Sequence, residues 1–213
     1  MKTDRLIDAL STNLEPVGRG GMGRWLALAL VAGGALTFCM MLATVGPRLG
    51  GDNNSHMGFL ASKLLFALSV VITGAVFLIR SVHPGQDGRR PILLLSILLL
   101  AAGLLGVTAL PSGQLADWSR IVFDAQWMTC LCCIPLFTVI PFAALILALR
   151  KGAPTNLRRT GAIAGLVAGA VGAAVYAFHC PQDSLLFIAV WYGVAIALCA
   201  SVGALLGPRL LRW

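Results

Sequence analysis

Six runs of apolar residues, near 25–45, 58–79, 91–110, 126–149, 160–178 and 185–206, dominate this 213-residue chain and leave it few folds to adopt. Each run is long enough to cross a bilayer as an α-helix, which needs about 20 residues at about 1.5 Å of rise per residue. Lipid offers no partner to backbone N–H and C=O groups, and a helix satisfies all of them within its own segment. Composition agrees. Only 11% of the residues are charged, against about 25% in an ordinary soluble domain, and the mean hydropathy is +0.88. The expected fold class is all-α, an integral membrane bundle of six transmembrane helices over residues 25–213.

The net charge of +8 is explained by where the charges fall. Lys2, Arg5, Arg19, Arg24, Arg80, Arg89, Arg90, Arg150, Lys151, Arg158, Arg159, Arg209 and Arg212 lie on one side of the expected spans. Only Arg48, Lys63 and Arg120 lie on the other. Basic residues in short loops mark the cytoplasmic face, so both termini are expected in the cytoplasm of a multi-pass inner-membrane protein. The basic balance is then a topology signal and does not call for direct nucleic-acid binding. Lys63, close to the start of the second run, is expected to snorkel its long stem to the interface.

Residues 1–24 form a polar segment ahead of the first span. It contains Asp4, Asp8 and Glu15 and lacks an apolar stretch of signal-peptide length. Leu6, Ile7, Leu10, Leu14 and Val17 recur at spacings of three and four, one apolar stripe of a short amphipathic helix. Thr3 or Asp4 suits its N-cap, and Gly18-Arg19-Gly20-Gly21 reads as a hinge behind it. An interfacial helix is one reading. The acids argue against the basic type that anionic lipid attracts, and favour a docking helix for a protein partner.

Apart from Lys63, no Asp, Glu, Lys, Arg or His falls inside an expected span, which argues against a pump or proton-coupled transporter. No zinc-protease motif or nucleophile elbow is present, and the chain is not read as an enzyme. What remains is sulfur. Cys130 opens the fourth span, with Cys132 and Cys133 behind it. Cys180 closes the fifth span on the same, outer side, within Phe178-His179-Cys180-Pro181-Gln182-Asp183-Ser184. A thiol at a helix N-terminus, such as Cys130, feels the positive end of the dipole. The outer compartment can oxidise thiols. Thiolates also bind soft metals, and His179 and Cys133 stand nearby as auxiliary candidates. Three readings are open for these residues: small buried side chains, a redox or metal sensor, and a membrane thiol oxidoreductase linked to a quinone. Cys39 and Cys199 lie within apolar runs and read as small apolar residues. Gly161, Gly165, Gly169 and Gly172 put small residues on one face of the fifth span, where a neighbouring helix can approach.

Several stretches together resemble the NrsF-type family of integral-membrane anti-sigma factors. The similarity runs from Met1-Lys2-Thr3-Asp4-Arg5-Leu6-Ile7-Asp8-Ala9-Leu10 through Cys130 with Ile134-Pro135-Leu136 and Pro141. It continues in Arg150-Lys151-Gly152-Ala153-Pro154-Thr155, in Tyr176 to Ser184 with Trp191-Tyr192, and in Gly203 to Trp213. The resemblance implies six spans and a cytoplasmic N-terminus that helps to bind an extracytoplasmic-function sigma factor. Leu6, Ile7, Leu10 and Leu14 are the expected contacts. It also implies a pair of periplasm-facing cysteines, Cys130 and Cys180, that relay heavy-metal or oxidative stress and release the sigma factor to start transcription of a stress response. No resident cofactor is expected, only a heavy-metal ion held transiently by Cys130 and Cys180.

Overall fold

The computed structural model describes residues 3, 21–47, 53–82, 126–152, 154, 156–182, 184 and 187–212, with the backbone alone at 53–56 and 81–82. Every regular element among the described residues is helical. In chain order they are α1 (Gly21–Thr44), α2 (Asn53–Val82), α3 (Trp127–Leu149), α4 (Leu157–Tyr176), a π-helical turn (Ile188–Tyr192) and α5 (Gly193–Leu210). Among the described residues, five helices are long and apolar enough to cross a membrane, the π turn and α5 forming one of them. The expected third span, 91–110, and the N-terminal stripe lie outside the described residues. The first helix begins earlier than its hydropathy suggests. Gly21, assigned above to a hinge, is already helical.

The contacts at the two ends give each helix a direction. At one end the Lys151 Nζ lies 3.2 Å from the centre of the Trp25 ring on α1, and the Arg159 guanidinium 4.9 Å from that of Phe77 on α2. There too Arg150 Nε donates to the Leu210 carbonyl at 2.8 Å. At the opposite end the Trp127 and Trp191 rings lie 5.0 Å apart, and His179 Nδ1 is 3.0 Å from the Gly46 carbonyl oxygen just beyond α1. So α1 and α4 run from the basic end to the other end, while α2, α3 and α5 run back. α2 and α3 are therefore parallel, although they follow one another among the described helices.

α4 is the central helix. Its glycines face two partners, a choice that sequence spacing left open. A Cβ on Gly161 or Gly165 would run into the backbone of α5 at Gly203 and Cys199, and one on Gly169 would lie 2.9 Å from the Cys199 Cβ. Gly172 instead faces α3, where a Cβ would come within 2.8 Å of Thr138 Oγ1. Lipid tails are as apolar as the helices, so no hydrophobic gain drives such pairs together; close backbone approach and dense van der Waals contact hold them. Pro135 and Pro141 lie inside α3, each without an N–H for the ladder. Gly33 of α1 packs directly on the second of them, with Pro141 Cα 2.9 Å from where its Cβ would be.

Candidate functional site

The site is built at the end of the bundle opposite the basic residues. α4 ends because Pro181 cannot continue it: proline has no N–H and disfavours helical backbone in the residue before it. The last bonds are Cys180 N–H to the Tyr176 carbonyl at 3.0 Å and His179 N–H to the same carbonyl at 3.0 Å. The chain then turns and re-enters the bundle at Phe187, which is fully buried. Its first helical stretch is the π turn, which sets Trp191 against Trp127 and buries Tyr192. Single π turns within longer helices often occur at functional sites.

Two thiols meet here. Cys130 Sγ and Cys180 Sγ are 4.0 Å apart, both fully buried, although fifty residues separate them in sequence. All six cysteines are free thiols. A disulfide would need the sulfurs to close to about 2.05 Å. A bridging ion needs less movement: two metal–sulfur bonds of about 2.3 Å at roughly 120° span the observed separation. The pair therefore suits either chemistry. Among the described residues no group of three or more His, Cys, Asp or Glu could hold a metal.

The other expected site residues are not gathered around the pair. His179 turns its Nδ1 to Gly46, a glycine with φ +73, and its ring lies 5.9 Å from that of Tyr176. Cys133 is half-buried at the edge of the same apolar cluster, while Cys132 is exposed on the outside of α3. Leu6, Ile7, Leu10 and Leu14 lie outside the described residues.

Three residues that sequence reasoning left aside surround the thiols. Lys63 does not snorkel. It is 0% exposed, and its Nζ donates to the Cys180 carbonyl at 3.1 Å. Ionisable residues in membrane helices are costly and rare, so one turned inward marks a site more often than a packing accident. Its position near a helix end concealed this, because a snorkelling lysine and an inward one have the same sequence. Tyr176 and Tyr192 are also fully buried, beside Cys130 and Cys180, and among the described residues neither phenol hydroxyl closes a hydrogen bond.

The Cys180 thiol, which lies beyond the end of α4, is pushed down from 9.0 to about 6. The chief cause is the hydrogen bond with Cys130; Lys63, the Gln182 backbone and the adjacent Tyr192 phenol act in the same direction, against burial. The helix dipole pointed to Cys130 as the more acidic thiol, but the neighbouring donors and the cation favour Cys180.

Comparison with known proteins gives the family. Residues 10–213 match the family model described as negative regulator of sigma F. The chain is 31% identical to the probable anti-sigma-F factor NrsF of Azospira oryzae, over 100% of both chains. It is likewise 31% identical to the anti-sigma-F factor NrsF of Caulobacter vibrioides, again over 100% of both. No solved structure matches the chain. With a family model over nearly its whole length and two full-length relatives of that name, this chain belongs to the NrsF family, the negative regulators of sigma F.

Proposed function

We propose that this protein is a membrane-embedded anti-sigma factor that holds an extracytoplasmic-function sigma factor at the bacterial inner membrane and releases it when Cys130 and Cys180 react. The observation that carries this reading is the 4.0 Å approach of two thiols from separate helices. The trigger is a heavy-metal ion bound between the thiols or their oxidation to a disulfide. Either event changes the Cys130–Cys180 separation, and with it the packing of α3 against the end of α4. A signal can shift the bundle only by its differential free energy between two packings, and a bond that forms in just one of them supplies that difference.

In this reading the basic end faces the cytoplasm and the thiol end the periplasm, by the positive-inside rule. The bundle has six spans. α2 and α3 run the same way, so the chain between them returns across the bilayer, and the apolar run 91–110 has the length to do so. The sigma factor docks on the cytoplasmic segment 1–24, with Leu6, Ile7, Leu10 and Leu14 as groove anchors, and beside the basic loop 150–159.

Two variants test the two halves of this reading. Cys180→Ser should leave the sigma factor bound and abolish its release by metal or oxidant in a promoter–reporter strain. Wild-type induction in that variant would sink the sensor role. Leu10→Asp puts a charge into the docking stripe and should switch the reporter on without stress, while unchanged repression would exclude the stripe as the docking face.

A further inference from the structure

The sensor reading uses both thiols and leaves Lys63, fully buried in a membrane-spanning helix, without a role. Lys63 lies near the start of α2, and its Nζ bonds the Cys180 carbonyl across 117 residues of sequence. That carbonyl lies beyond the end of α4, just ahead of Pro181, which cannot continue a helix. The end of α4 holds the Cys180 N–H through the Tyr176 carbonyl at 3.0 Å, and Lys63 holds the carbonyl on the other side of the residue. The Tyr192 phenol and the Gln182 backbone both act on the Cys180 thiol. Lys63 makes its polar tie from a firm base. Eleven residues further along α2, about 16 Å at helical rise, Gly74 packs directly on Val167 of α4. The carbonyl carbon and Sγ of Cys180 are joined through the same Cα, so a hold on the first restrains the second.

We propose that Lys63 is a positioning residue for the thiol pair: by holding the Cys180 carbonyl it keeps the turn after α4 in the one placement that sets Cys180 Sγ against Cys130 Sγ. This rests on reading the pair as the reactive centre. Lysine suits the task because its flexible stem can cross from α2 to the turn and still present an N–H donor, which no apolar residue of similar length can do. Loss of the tie lets the turn move. Pair chemistry is steeply sensitive to such movement, because a misplacement of about 1 Å can slow a reaction of held groups by as much as 10²-fold.

The experiment is disulfide formation in the full-length protein in membranes, driven by diamide and followed by peptide mass mapping. The N=N bond of diamide takes up the two electrons and two protons that leave the thiols as the S–S bond forms. Wild type is expected to form the Cys130–Cys180 disulfide. Lys63→Met should form it at least about tenfold more slowly, and Lys63→Arg, which keeps a long cationic donor, should stay within about twofold of wild type. Alkylation of Cys199, buried between α4 and α5, reports in the same samples whether the bundle is intact. Formation at the wild-type rate in Lys63→Met overturns the proposal, as does a slow rate accompanied by newly exposed Cys199. If Lys63→Met does not accumulate, Lys63→Gln goes through the same assay, where slowing supports the proposal and a wild-type rate overturns it. A wild-type protein that never pairs Cys130 with Cys180 overturns the reactive-pair reading itself, a result distinct from unslowed pairing in the variant.

Discussion

At the scale of single residues, Cys180 has properties that no neighbour in sequence confers. Its thiol is pushed down to about 6 by a hydrogen bond to Cys130, helped by Lys63, and both partners come from other helices. The sign follows from the direction of the shift. A thiol is an acid, and a lowered value means that the folded protein favours thiolate. The stability this contributes is fully present above the ordinary value of 9.0 and is lost as pH falls through about 6. The ultraviolet absorbance of the Cys180 thiolate, taken as wild type minus Cys180→Ser, should therefore reach half its plateau near pH 6. A profile that rises only between about pH 8 and 9 would mark an ordinary thiol. Cys130 and Cys180 stood out in the sequence because each falls at an outer helix end. Lys63 did not, since whether a lysine near a helix end points into lipid headgroups or into the bundle depends on which helix lies beside it.

Helices and their contacts carry the next part of the argument. That residues 157–176 form a close-packing helix was legible from Gly161, Gly165, Gly169 and Gly172 at spacings of three and four. Its partners were not, because a small-residue stripe states only that some backbone can come near. In the structure the stripe divides, with Gly161, Gly165 and Gly169 against α5 and Gly172 against α3. A Cβ added at Gly165 would meet the Cys199 carbonyl and lie 3.1 Å from Gly203 Cα, backbone that has no rotamer to yield. Gly165→Val is expected to cost about 1–3 kcal/mol or more, visible as a lower melting temperature in detergent. At Gly34 the nearest atom is Val171 Cγ1 at 3.7 Å, an ordinary contact, so Gly34→Ala should melt as wild type does. Equal melting temperatures for all three proteins would contradict the close α4–α5 approach. The π turn at Ile188–Tyr192 was not legible either. Residues 185–206 read as one uniform apolar run, and an extra residue in a helical turn leaves hydropathy unchanged.

For the whole molecule, the parallel course of α2 and α3 is the strongest constraint. In the proposed six-span reading the apolar run 91–110 supplies the return crossing between them. Alkaline phosphatase fused after residue 118 should be active, since it would be carried to the periplasm. A fluorescent protein fused after residue 213 should fold and fluoresce in the cytoplasm. The reverse pattern would invert the bundle and put the thiols on the cytoplasmic face. The same arrangement separates a reactive end from a basic end by the length of the helices. In the proposed function a change at the Cys130–Cys180 pair reaches the basic end through the packing of α3, α4 and α5, where the backbones touch and small shifts are not absorbed by side chains.

Hydropathy and charge by themselves determined that this chain is helical, that its long apolar segments can cross a membrane, and that Cys130 and Cys180 fall at helix ends sharing one face. These are properties of single segments in a medium that cannot solvate a bare backbone. Only the tertiary structure decided that the two thiols approach to 4.0 Å, that Lys63 turns inward to hold the Cys180 carbonyl, and that Tyr176 and Tyr192 close around them. In lipid every apolar face is equally content, so which helix meets which is settled by the fit of small residues and a few buried polar bonds. Those pair up only when helices distant in sequence are already side by side.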